Sequence, residues 1–151
     1  PYYNTSQENV AYFLRQHFNA PALLEAFGKP YCIVNTGIHD AAIPGITTQV
    51  FVDNVEWYLN LLQPECHRII WISTTAPQGN DYDQKIEQTL EWNQGVLEML
   101  SNRSDLRVSY IDVYQASLNF THYDNVHMAF DWYASLATLL GDVLDVCVGI
   151  A

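Results

Sequence analysis

The sequence predicts one α/β domain spanning residues 1–151, in which helices cover both faces of a parallel sheet. Three short apolar runs, 31–35, 68–73 and 107–113, are bounded by polar or chain-breaking residues and have the length of buried strands. Segments in which apolar residues recur at helical spacing alternate with these runs. Because parallel strands need a crossover between them, this alternation is typical of a parallel sheet.

Two helices are predicted ahead of the first strand. The segment Thr5–Glu8 matches a capping box, so we expect a helix from there to about Phe18. Pro21 opens a shorter helix that Gly28 ends. The strand 31–35 that follows is apolar throughout, which predicts burial on both faces.

The two middle helices are predicted from their caps and periodicity. Thr47 or Thr48 caps a helix that ends before Pro64. Its expected inward face consists of Phe51, Val55, Tyr58, Leu59 and Leu62. A long helix over 82–100 follows the second strand, with Ile86, Leu90, Leu97 and Leu100 expected inward. Asn93 falls on that same face, where a polar side chain needs a hydrogen-bond partner.

The chain ends in a predicted loop over 115–125 and a final helix. That helix has a broad apolar face. Its expected inward residues are Trp132, Tyr133, Leu136, Leu139, Leu140, Val143 and Leu144. A short polar loop therefore leads into a well-packed helix. Such a helix holds the loop in place, so that the loop can position functional side chains.

Polar side chains follow all three predicted strands. The first group is Asn35, Gly37, His39 and Asp40, the second is Ser73, Thr74 and Thr75, and the third is Asp124 and His127. Ligands of open α/β sheets bind beyond the carboxyl ends of the strands. We therefore expect these groups to share one rim.

Asp124 and His127 form an Asp-x-x-His pair. A carboxylate three residues before a histidine can bind one ring nitrogen, set the tautomer and stabilise the imidazolium. That arrangement predicts a general base. The alternative is that Asp124 caps the final helix and His127 is an ordinary loop residue.

The predicted parts follow one another in this order: a strand, the turn Gly37-Ile38-His39-Asp40, two further strands, Asp124-x-x-His127 and a helix. This order resembles the SGNH, or GDSL-type, hydrolase superfamily of esterases and acetyltransferases. The resemblance covers roughly 31–140. It implies a flavodoxin-like α/β/α fold and a serine esterase acting on acyl groups of extracellular glycans. Two departures stand out: His39 replaces the oxyanion-hole Asn of the family, and no Gly-Asp-Ser block is present.

The resemblance implies roles for individual residues. His127 and Asp124 would be the base and its partner, and His39 would face the oxyanion. Gly37, Asp40, Asn35 and Thr74 would border the substrate. The nucleophilic serine and the first strand are expected upstream of Pro1 or on another chain. Ser73 is the best alternative nucleophile within the chain, and an inactive binding or structural module is the alternative function.

The composition limits the classes of partner that the chain is expected to bind. Seventeen acidic and six basic residues give a net charge of −11, which disfavours nucleic acid and anionic membranes. No apolar run is long enough for a membrane span. No cofactor is expected. His39, Asp40, His122, Asp124 and His127 offer ligand types for a metal, but the carboxylates and histidines are too few for a divalent-metal hydrolase, so we predict none.

Three Asn-x-Ser/Thr sequons, at Asn4, Asn102 and Asn119, favour a secreted glycoprotein. The chain has three cysteines, so one cannot pair within it. Cys66 and Cys147 lie near element ends and are the better bridge candidates. Cys32 lies in a strand, where a small buried thiol is expected.

Overall fold

A computed structural model describes residues 28–78, 83–124 and 127–148, so the two helices predicted before residue 28 lie outside the described residues. The sheet consists of β1 (Tyr31–Val34), β2 (Arg68–Ile72) and β3 (Val108–Ile111). Its order is β1-β2-β3, and both pairs are parallel. The predicted α/β fold with a parallel sheet is confirmed.

Helices connect the strands as the alternation predicts. They are α1 (Thr48–Leu62), α2 (Asp83–Ser101), α3 (Tyr114–Ser117) and α4 (Phe130–Val148), and a 3-10 turn spans Asp40–Ala42. The short helix α3 was not expected, because four residues give too little periodicity to detect. The predicted loop over 115–125 is therefore partly helical.

Neighbouring residues of β2 show that helices pack on both faces of the sheet. Trp71 belongs to a core cluster with residues of α1 and α2, whereas Ile72 packs with Met128 and with Trp132 of α4. Because successive side chains of a strand point to opposite faces, α4 lies across the sheet from α1 and α2.

Helix α1 matches its prediction closely. The Thr47 hydroxyl accepts a hydrogen bond from the Val50 N–H at 3.2 Å and caps the helix. The buried residues are Phe51, Val55, Leu59 and Leu62, and Tyr58 is half-buried.

The predicted inward face of α2 was wrong in part. Leu90 and Leu97 are exposed. The residues that are buried are Thr89, Trp92, Asn93 and Val96. Trp92 stacks on Phe51 with ring centroids 4.4 Å apart, and the Asn93 side chain bonds to the end of β2. These two contacts fix the rotation of the helix, and the leucines fall to its flanks.

Two burial expectations were also wrong elsewhere. Ile33 is exposed, so β1 is not buried on both faces. In α4, Tyr133 and Leu139 are exposed, whereas Trp132 is buried and Leu136 and Leu140 are half-buried. Among the described side chains of α4, the inward stripe follows one i, i+4 row that also includes half-buried Leu144, and the side chain of Val143 lies outside the described residues.

A disulfide joins Cys32 and Cys66, with Cα atoms 5.9 Å apart. The expectation of a bridge at Cys66 is confirmed, but the expected free thiol at Cys32 was wrong; the side chain of Cys147 lies outside the described residues. Because β1 and β2 are parallel neighbours, the turn before β2 lies beside the start of β1. The His67 N–H donates to the Pro30 carbonyl at 2.8 Å in that turn.

Candidate functional site

Residues 121–124 and 127–129 form a narrow antiparallel ribbon before α4, and residues 125 and 126 lie outside the described residues. The Tyr123 N–H donates to the His127 carbonyl at 2.7 Å, and the Ala129 N–H donates to the Thr121 carbonyl at 2.9 Å. This pairs His122 with Met128. Since side chains alternate along a paired strand, His122 and Met128 share one face and Tyr123 and His127 share the other.

The inward face anchors the ribbon to the sheet. Met128 is buried in the cluster that contains Ile72 and Val113. The His122 Nε2 lies 2.9 Å from the carbonyl oxygen of Ala76, in the segment after β2. A carbonyl only accepts, so Nε2 carries the proton of this ring. His122 is therefore a positioning residue for the ribbon.

Asp124 holds His127 at two points. Its Oδ2 lies 2.7 Å from Nδ1 of the ring, and its Oδ1 accepts the His127 backbone N–H at 2.8 Å. The carboxylate selects the tautomer with the proton on Nδ1, so the lone pair of a neutral ring is on Nε2. The two side chains are about half exposed, 56% for His127 and 48% for Asp124.

The helix-capping alternative for Asp124 does not match this geometry. Helix α4 begins at Phe130, and both carboxylate oxygens bond to His127. The pair thus has the form of a base and its orienting acid, on two side chains that are each about half exposed.

The turn after β1 brings His39 next to His127. His39 precedes the 3-10 turn, is exposed, and has its ring centroid 5.7 Å from that of His127, at an interplanar angle of 59°. Asp40 is the first residue of the 3-10 turn and is half-buried. The structure therefore brings together the strand-end groups of the first and third crossovers, as the sequence predicts.

Gly37 allows the turn to pack closely on the end of β2. Its φ is +115°, and a Cβ placed there would lie 2.5 Å from Oγ1 of Thr74 and 2.9 Å from the Phe51 ring. The Thr74 hydroxyl donates to the Thr36 carbonyl at 2.5 Å. Any side chain at 37 would push the His39 turn away from the sheet.

Two asparagines brace the ends of the strands. The Asn35 amide donates to the carbonyls of Ile72 and Ser73 at 3.0 and 2.9 Å. Buried Asn93 accepts from the Thr74 N–H and donates to the Thr74 carbonyl, both at 2.9 Å. The expected partner for Asn93 is thereby confirmed. A role for Asn35 in binding substrate stays a prediction.

Ser73 has a structural environment. It is fully buried, its hydroxyl donates to Oδ1 of Asp112 at 3.1 Å, and it accepts the Val113 N–H at 2.8 Å. Burial, together with the charge of Asp112, raises the pKa of nearby Tyr110 to about 12. The two hydrogen bonds of the Ser73 hydroxyl tie β2 to the end of β3, and they leave Ser73 poorly placed to attack a substrate.

No protein-family model matches this chain, and no curated protein matches its sequence. Within residues 28–78, 83–124 and 127–148, no three His, Cys, Asp or Glu side chains converge on a possible metal position. Over those same ranges, no helix has the length and apolarity to cross a membrane. The sequon residues Asn102 and Asn119 are exposed, and Asn4 lies outside the described residues.

Periodicity did not reveal two features of this site. His122 was considered only as a metal ligand, although its ring fixes the ribbon through Ala76. The ring of Tyr123, which is paired opposite His127, and the ring of Phe130, three residues after His127, are almost fully exposed. No sequence signal places Tyr123 opposite His127, because that placement follows only from the pairing of His122 with Met128.

Proposed function

We propose that this chain carries the acid–base part of a serine esterase or acyltransferase site of the SGNH type. The observation that supports this most is the Asp124–His127 pair. It presents Nε2 beyond the carboxyl ends of a parallel sheet, next to His39. This is where α/β enzymes place their chemistry.

In the proposed reaction, Nε2 of His127 removes the proton from a serine hydroxyl as its oxygen attacks the acyl carbonyl. The serine comes from a segment outside the described residues or from a second chain. Asp124 stabilises the imidazolium, which then gives the proton to the departing alcohol. Water or an acceptor hydroxyl, deprotonated by the same nitrogen, attacks the acyl-enzyme and releases the serine.

His39 is the proposed donor to the oxyanion. An imidazole N–H can replace the amide that the SGNH resemblance implies at this position. The two ring centroids lie 5.7 Å apart, so in the proposal both imidazoles face a carbonyl in the space along the edge that they share. One such donor typically contributes about 10²–10³-fold to the rate. Gly37, Asp40, Asn35 and Thr74 border this space in the proposal.

The proposed substrates are acyl, chiefly acetyl, esters of extracellular glycans, and the proposed location is outside the cell. The Cys32–Cys66 disulfide supports an oxidising compartment. The exposed sequons at Asn102 and Asn119 support N-glycosylation there, with Asn4 as a third proposed position. The acidic composition disfavours nucleic acid as a partner.

Turnover of a short acyl ester tests the proposal. The natural protein that contains this chain should hydrolyse para-nitrophenyl acetate, and His127→Ala should lower kcat by at least about 10²-fold. His67→Ala is the matched control, since His67 is exposed and packs at a tilted angle against Tyr31 at the other end of the sheet. Equal turnover in His127→Ala and His67→Ala would contradict the role of His127.

A second candidate is an inactive binding or structural module with the same fold. The replacement of an oxyanion-hole amide by His39 favours it. A natural protein that neither turns over acyl esters nor reacts with a fluorophosphonate would support this candidate over the esterase.

A further inference from the structure

Three exposed aromatic rings lie in the ribbon that carries His127 and in the first turn of α4, which follows the ribbon. Tyr123 is 87% exposed, Phe130 is 86% exposed, and Tyr133 is 50% exposed. Tyr123 is paired opposite His127 in the ribbon, so their Cβ atoms share the outer face at about 5 Å. Phe130 and Tyr133 are three residues apart on the first turn of α4 and are neighbours on its surface. We call these three residues the aromatic rim.

The exposure of the aromatic rim is specific to these positions. Two other rings of the same region are packed: Phe120 and Trp132 meet edge to face with centroids 5.1 Å apart, and Trp132 is buried. The region therefore has a formed core, and the rim stands outside it. Exposed aromatic side chains grouped in the segment that carries a candidate catalytic group are typical of a binding surface.

We propose that the aromatic rim is a stacking platform for an uncharged polysaccharide chain, whose acyl ester it brings to His127. The assignment of this substrate rests on the proposed esterase function. Pyranose rings present flat faces of C–H groups, which pack on aromatic faces, and a tyrosine hydroxyl can bond to neighbouring sugar hydroxyls. A sugar on Tyr123 has its ester substituent on the same outer face as His127.

Charge disfavours anionic ligands at the rim. Asp124 and Asp131 are exposed carboxylates next to the rim, and the whole chain has a net charge of −11. This field repels polyanionic glycans and anionic lipid surfaces. The same residues do not oppose a neutral polysaccharide, which contributes only C–H faces and hydroxyls.

Affinity electrophoresis of the natural protein tests the platform. The probes are gels that contain partly acetylated glucomannan, which is neutral, or polygalacturonate, which is anionic. We expect the neutral gel to retard the protein and the anionic gel not to retard it. Tyr123→Ala and Phe130→Ala should each raise the dissociation constant for glucomannan roughly tenfold, by analogy with the loss of one aromatic that stacks on a nucleobase.

Trp57→Ala is the matched control, because Trp57 is an exposed aromatic, 39% accessible, on α1 across the sheet from α4. It should be retarded like the wild type. Circular dichroism checks that every variant is folded. We expect that they are, because the substituted side chains are exposed and contribute little to the core. Unchanged retardation in the doubly substituted Tyr123→Ala, Phe130→Ala protein would overturn the platform. So would a wild type that the neutral gel does not retard or that the anionic gel retards.

The outcomes also separate the platform from the esterase proposal. Retardation of the wild type without turnover of para-nitrophenyl acetate would contradict the esterase and leave the platform standing. Turnover of that small ester without retardation would contradict the platform and leave the esterase standing.

Discussion

The carboxylate of Asp124 bonds His127 twice, to the ring Nδ1 at 2.7 Å and to the backbone N–H at 2.8 Å. The two bonds together fix both the position of the ribbon residue and the orientation of its imidazole. Because the acceptor oxygens belong to one rigid group, the ring cannot rotate away from Asp124 without losing a charge-assisted bond.

Asp124→Asn should separate these two functions. An amide oxygen can still accept the backbone N–H, but the amide nitrogen is a donor and requires Nδ1 to accept, which moves the ring proton to Nε2. Loss of the base should lower ester turnover by about 10²-fold or more. Steady-state kinetics of the natural protein measure this, with Asp131→Asn as the control. Turnover of Asp124→Asn near the wild-type level would contradict the orienting role.

Asn93→Ala should destabilise the fold. The substitution leaves the buried N–H and carbonyl of Thr74 without partners, at a cost of about 2–4 kcal/mol in the free energy of unfolding. Gln94→Ala is the matched control, because Gln94 is exposed and should change stability by under about 0.5 kcal/mol. Urea denaturation compares the two. Equal midpoints would show that the Asn93 contacts contribute nothing net.

Asn93 also illustrates how far the sequence could predict the fold. Helical spacing placed it correctly on the inward face of α2, but it placed Leu90 and Leu97 there as well. An exposed leucine loses only about 1.5–3 kcal/mol of the folding free energy that its burial would contribute. The stack of Trp92 on Phe51 and the two Asn93 bonds outweigh that loss, and both depend on α1 and β2, which local periodicity does not represent.

The candidate site was predictable where its contacts are local or follow from topology. Asp124 and His127 are three residues apart, so their bond follows from spacing. His39 meets His127 because parallel strands deliver their ends to one edge. The inward role of His122 and the outward exposure of Tyr123 depend on the pairing across 121–129, which no hydrophobic period indicates.

Gly37→Ala should be more harmful than Gly45→Ala. Both glycines have positive φ, +115° and +85°, which alanine disfavours. Alanine at either position therefore introduces backbone strain of about 1–3 kcal/mol. Only at Gly37 does the new Cβ also collide with Thr74 and Phe51, since nothing lies within 4 Å of a Cβ at Gly45. Thermal unfolding should therefore rank Gly37→Ala clearly below Gly45→Ala. Equal melting temperatures would show that the turn after β1 relaxes freely.

Removal of the Cys32–Cys66 disulfide should lower stability without changing the fold. The bridge closes a loop with a sequence separation of 34, which corresponds to about 3–4 kcal/mol in the chain-entropy treatment. Cys32→Ser combined with Cys66→Ser should shift the urea midpoint accordingly. The reduced wild type is the control and should match the double variant. A wild type whose midpoint is insensitive to reduction would indicate that the bridge is absent in solution.

The reaction of the natural protein with a fluorophosphonate, followed by intact mass, tests the acid–base role of His127 most directly. We expect one phosphonyl adduct on a serine, formed at least about 10²-fold more slowly in His127→Ala than in the wild type or in His67→Ala. An adduct that forms in His127→Ala at the wild-type rate, or a wild type that forms none, would contradict it.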